Sequence, residues 1–186
     1  MARILFVVHR YVPFAGGSEY YVRDMAEECL KRNHEVTVLT HTHQGDVNGV
    51  RVSDDYQNIL NEKWDLIVVH GSDVISQDII HINSEKIPSP VCYMIIKPSD
   101  SEISLLGMKH SRFLAYSTSM DIEHIRKHGY LHKARRIRHG VVPDTTIVPV
   151  ESDIKPIYVS AGGFYPHKAM VPLAEAFERS NVKGEL

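Results

Sequence analysis

The chain has 186 residues, 43% of them hydrophobic and 24% charged, an ordinary globular composition that fills a core without help from disulfides or a metal. A formal net charge of -2 excludes the strongly basic face of a nucleic-acid binder, and no apolar run reaches the roughly 18 residues of a membrane span. Two cysteines, Cys29 and Cys92, stand apart in apolar surroundings without CxxC spacing, so they read as small core residues of a reducing, cytoplasmic compartment.

Residues 4–8 form an apolar run too short for a signal sequence and closed at once by His9-Arg10, which predicts a first strand. After the loop Pro13-Phe14-Ala15-Gly16-Gly17-Ser18-Glu19 comes the clearest helix. Val22, Met25, Ala26, Cys29 and Leu30 recur at i, i+3, i+4, i+7 and i+8, with Glu27–Lys31 and Glu28–Arg32 paired on the opposite face. Ser18 is the predicted N-cap and Asn33 the predicted left-handed residue at its end. Strands are predicted at 35–40, 50–52 and 65–69, the last followed by His70 and by Gly71-Ser72-Asp73 opening a helix. Further strands fall at 91–96, 112–116 and 136–138, with a capped helix over 118–128 that turns Ile122 and Ile125 inward and stops at Gly129.

From 143 to 155 prolines, threonines and acids without periodicity read as a linker, and a strand at 156–160, a Gly162-Gly163 turn and a helix at 170–179 follow. Val- and Ile-rich strands alternating with helices predict an α/β fold, a Rossmann-like, doubly wound and mostly parallel sheet. The expected organisation is a domain over 1–142, a linker over 143–155, and over 156–186 the first strand and helix of a second, truncated domain.

Three loops carry candidate chemistry. Gly16 and Gly17 let a ligand approach the backbone where a helix N-terminus offers free N–H groups, although a tight turn feeding a helix explains the same residues. There is no G-x-G-x-x-G, so a dinucleotide fingerprint is not supported. His70, at the end of a buried strand, lies where open α/β sheets bind ligands, although any one of 12 histidines taken by itself is more often surface filler. Lys168, after Ser160-Ala161-Gly162-Gly163-Phe164-Tyr165-Pro166-His167, could meet a phosphate or simply be a surface lysine. His41-Thr42-His43 lacks a third ligand at useful spacing and reads as a solvated loop, and the basic run from Lys133 to His139 as a solvated edge.

In order along the chain, these segments resemble glycosyltransferase family four, retaining enzymes of GT-B architecture. The likeness runs through Arg3-Ile4-Leu5-Phe6-Val7, Pro13 with Gly16-Gly17-Ser18-Glu19, and Asn33-His34-Glu35-Val36. It continues at Asp65 with His70, Ala115-Tyr116-Ser117, Ile137-Arg138-His139-Gly140-Val141, and residues 159–168. No one motif is specific; the seven in sequence carry the resemblance. It implies a nucleotide-sugar donor, a hydroxyl acceptor, transfer with retention, no cofactor and no metal. It gives His70 the catalytic position beside the transferred sugar, and gives Gly16, Gly17 and Lys168 the donor-diphosphate or acceptor contacts.

Two departures stand out: Gly163 replaces the arginine of the family's phosphate loop, and Ala169 its last glycine. The donor-side domain of the family extends well beyond one strand and helix, so the chain as given is expected to bind donor weakly. The rival expectations are a non-catalytic sugar- or nucleotide-binding module, or a half-enzyme completed by another chain. Peripheral membrane contact and homodimerisation stay open.

Overall fold

Alternate side chains of the first strand, β1 (Arg3–Val7), enter two different cores. Ile4, Phe6 and the following Val8 meet Val22 and Ala26 of helix α1 (Gly17–Lys31), whereas Leu5 and Val7 meet Ile59, Trp64 and Ile80. A strand that is apolar on both faces belongs inside a sheet covered on both sides, which is why its sequence reads as a continuous run. Each fully buried Leu, Ile or Val here contributes roughly 1.5–3 kcal/mol.

The structure, a computed structural model, describes residues 1–72, 74–138, 140 and 169–180. After α1 come β2 (Glu35–Leu39), β3 (Gly45–Val47), β4 (Val50–Ser53), α2 (Tyr56–Asn61), β5 (Leu66–His70), α3 (Ile75–Asn83) and β6 (Val91–Met94). Then follow α4 (Glu102–His110), β7 (Phe113–Tyr116), α5 (Ser119–Lys127), a 3₁₀ turn at Leu131–Lys133, β8 (Ala134–Arg136) and α6 (Met170–Arg179). The strand order is β3-β4-β2-β1-β5-β6-β7-β8, and every neighbouring pair is parallel except β3 with β4. The doubly wound, mostly parallel α/β sheet expected from the alternating pattern is what forms. A third core of Tyr93, Ile95, Met108, Leu114 and Ile125 fills the β6–β7 side.

The chain divides into two units, Met1–Val141 and Val142–Leu186. The strand expected at 156–160 lies outside the described residues. In the second unit α6 begins at Met170 behind Ala169, a left-handed residue with φ 50° and ψ 34°. No helix among the described residues is long and apolar enough to cross a membrane.

Several local expectations shift. The N-cap of α1 is Gly16, not Ser18, and no side chain caps it; Ser18 is already helical. Asn33 does take the left-handed conformation, with φ 62°. The last strand of the first unit lies at Ala134–Arg136, earlier than 136–138, and forms the sheet edge, where its arginines are exposed. Helix α5 carries a full capping box: Asp121 N–H donates to Thr118 Oγ1 at 3.2 Å while Thr118 N–H donates to Asp121 Oδ2 at 2.8 Å.

Candidate functional site

The chain leaves β1 through α1 toward β2 on one side, and leaves β5 through α3 toward β6 on the other. The carboxyl ends of β1 and β5 therefore flank the point where the winding reverses, the crevice in which open α/β sheets bind ligands. Gly16 and Gly17 stand at the helix entry beyond β1, and His70 is the last residue of β5.

The two glycines differ. A Cβ on Gly16 would collide with the carboxylate of Glu19, which is buried (5% exposed) beneath it and accepts a hydrogen bond from Arg10 Nε at 3.0 Å. A Cβ on Gly17 would meet nothing within 4 Å. The anion position at the N-terminus of α1 is thus taken by the protein's own carboxylate, held by the helix end and by Arg10. Only Gly17 offers open backbone.

His70 is buried, 3% exposed, rather than presented on the rim. The ring of Tyr21, from α1, stands over it with centroids 5.6 Å apart. A buried polar network fixes the backbone here. Gln77 Nε2 donates to His70 O at 3.0 Å, and His81 Nε2 donates to Gly71 O at 3.1 Å. Tyr93 donates its hydroxyl to Ser72 Oγ at 2.9 Å and lies 3.0 Å from Ser104 Oγ. Gly71 needs its glycine, because φ is 90° and a Cβ would come 3.1 Å from Ile96 Cδ1. Beyond Tyr21 a small apolar cavity is lined by Met94, Ile95, Ile96, Tyr116, Ser117 and Ile137.

His9 lies two residues beyond β1, one step out of register with His70, since Val7 pairs with Val69. Its ring stacks on His41 at 4.2 Å, and its carbonyl accepts from Thr40 Oγ1 at 2.9 Å. Burial, reinforced by His41, holds the His9 imidazole below its ordinary pKa. His41 and His43 are half-buried rather than solvated, each with one buried ring nitrogen that has no hydrogen-bond partner among the described residues. Tyr11 is fully buried, and burial pushes its hydroxyl up to about 12. Lys168, the remaining sequence-derived site residue, lies outside the described residues.

The fold matches solved glycosyltransferases. The catalytic domain of starch synthase IV from Arabidopsis thaliana, bound to ADP and acarbose, superposes with a TM-score of 0.56 at 9% identity, over 75% of this chain and 52% of that one. The lipopolysaccharide outer core galactosyltransferase WaaB, in its apo form, gives 0.57 at 14% identity, over 83% and 51%. This chain therefore spans about half the length of the structures it matches. No protein-family profile and no curated sequence matches it. At these identities the likeness is one of fold, and the class it defines is a Rossmann-like, mostly parallel α/β sheet domain, the fold also present in those two glycosyltransferases.

Proposed function

We propose that the chain is the acceptor-side domain of a glycosyltransferase that moves a sugar, with retention, from a nucleotide sugar to a hydroxyl acceptor in the cytoplasm. The observation that carries this reading is the pairing of Gly17 and His70 across the β1/β5 switch point. The Arabidopsis structure, which holds ADP and acarbose, supports a nucleotide donor and a saccharide-like acceptor.

Glu19 refines the roles. A buried carboxylate under Gly16 repels a second anion, so the Gly16–Gly17 loop is assigned to an acceptor hydroxyl, with Gly17 as the point of approach. The donor diphosphate is assigned to Lys168, whose ammonium and the adjoining helix N-terminus would meet its growing charge; following the family resemblance, the reaction uses no metal. His70 is the residue assigned to the transferred sugar, hydrogen-bonding it beside the anomeric carbon. Tyr21 packs on the buried imidazole, so a sugar at His70 has to displace that ring.

A second reading is a non-catalytic sugar- or nucleotide-binding module, or a half-enzyme completed by another chain. Gly163 and Ala169, which stand where the family has arginine and glycine, favour it.

Calorimetric titration of the 186-residue chain with nucleotides, nucleotide sugars and oligosaccharides tests both. The acceptor-side reading expects millimolar or no nucleotide binding, together with oligosaccharide binding abolished by Gly17→Val, a substitution the open space at Gly17 accepts. Micromolar nucleotide binding would instead make the chain a self-sufficient module. In a catalytically complete protein, His70→Ala is expected to cut turnover strongly; unchanged turnover removes His70 from the mechanism.

A further inference from the structure

A cluster of ligand-type side chains lies away from His70, and the glycosyl-transfer reading does not use it. His124 and His128, four residues apart at the end of α5, project from one helix face with ring centroids 4.8 Å apart. The segment joining β6 to α4 brings Asp100 to both: Asp100 Oδ1 is 2.7 Å from His128 Nε2 and 3.8 Å from His124 Nδ1. One ligand atom from each of the three lies within 4.8 Å of the other two. From this geometry we infer that Asp100, His124 and His128 form a binding site for a divalent transition-metal cation, zinc above all.

Ligand chemistry and spacing agree. Two imidazoles and one carboxylate are borderline donors that suit zinc rather than magnesium or calcium, which want oxygen alone. Tetrahedral zinc with metal–ligand bonds of about 2.0–2.2 Å separates its ligand atoms by roughly 3.3–3.5 Å. The distances from Asp100 Oδ1 to the two imidazoles, 2.7 and 3.8 Å, bracket that value. Lys127 Nζ donates to Asp100 Oδ2 at 2.7 Å, which fixes the carboxylate and leaves Oδ1 turned to the imidazoles. Both imidazoles and the Lys127 ammonium converge on Asp100, so a bound cation would replace the His128–Asp100 hydrogen bond and take the imidazole lone pairs in its place.

The site also has a position that matters. Asp100 follows the cavity-lining Ile95 and Ile96 in the chain, and α5 starts just after the cavity-lining Ser117. A bound cation would tie the ends of β6 and β7 together and hold both walls of that cavity. His41-Thr42-His43 is visible as a pair in the sequence, whereas Asp100 reaches His124 and His128 from a loop more than twenty residues away.

The test uses the whole chain, stripped of metal with EDTA and titrated with Zn²⁺ by calorimetry and with Co²⁺ by visible absorption. One Zn²⁺ per chain is expected, with the Co²⁺ spectrum of a tetrahedral or five-coordinate site. His128→Asn and Asp100→Asn, both at surface-accessible side chains, should each weaken binding about tenfold or more. Thermal unfolding of the metal-free variants checks that they fold. Absence of a one-to-one site in the parent chain, or an undiminished affinity in either variant, overturns the three-residue site.

Discussion

The carboxylate of Glu19 fills the space that a Cβ on Gly16 would occupy, and Arg10 closes over it at 3.0 Å. Gly16 is therefore glycine for room, since its φ of 174° is extended backbone open to any residue. Gly16→Ala must expel the carboxylate and loosen its pairing with a half-exposed arginine, at a cost of about 1–3 kcal/mol. Gly17→Ala, with nothing within 4 Å of the new methyl, should be neutral or gain up to about 1 kcal/mol from helix propensity. Urea denaturation of the two variants separates them; equal losses would contradict the assignment.

Gly107 offers a sharper contest between two effects. It lies inside α4, where glycine-to-alanine alone would stabilise by about 1 kcal/mol. Yet a Cβ there would stand 2.5 Å from His81 Nδ1, pushing the ring away from Gly71 O and from its packing on Tyr93. Steric displacement in a buried polar network wins, and Gly107→Ala should destabilise by about 1–3 kcal/mol. Imidazole resonances of both His81 and His70 should move in the same variant, because Gly71 adjoins His70. A stabilised variant with unmoved histidine signals would show that the network does not hold the site.

What the sequence reveals here depends on whether the controlling contact is local. The Val-rich strands, the period of α1, and the stop at Gly129 are local, and each element forms within a residue or two of where it was expected. Asn48-Gly49 is also local: with φ of 54° and 83° it makes the hairpin turn between β3 and β4, a turn its Asn-Gly pair encodes. Helices α2 and α4 are not legible, because their apolar runs are too short to show a period. The burial of His70 is not legible in the sequence, since Tyr21 and Gln77 reach it from α1 and α3 while His81 holds the adjoining Gly71. Glu19 looked like an ordinary first-turn acid until Arg10 and Gly16 were brought against it.

Ala169 holds a left-handed conformation at the N-cap of α6, where glycine carries no steric penalty. This is the position at which the resembling family has glycine. Ala169→Gly should relieve roughly 1 kcal/mol of backbone strain. Leu173 N–H donates to Ala169 O at 2.9 Å in the first turn, so its hydrogen-exchange protection should rise about fivefold. Lower protection would mean that the alanine is not strained there.

The thiol of Cys92, in β6, is pushed up to about 11 by burial, and that of Cys29 is raised for the same reason. Alkylation by iodoacetamide at pH 8 should therefore be slow at both in the native chain and fast after denaturation. The sign of the stability effect follows from linkage. An unfolded Cys92 ionises near 9.0 while the folded thiol keeps its proton to about 11, so the unfolded state binds fewer protons between those values. Stability is fully present below pH 9 and falls as pH rises toward 11, by an amount of order 2 kcal/mol. Tyr11 and Tyr21, whose hydroxyls are also raised by burial, push the same way, so Cys92→Ala serves as the reference. Its unfolding free energy should decline less steeply over that range than the parent's; parallel declines would show that Cys92 is not the group responsible.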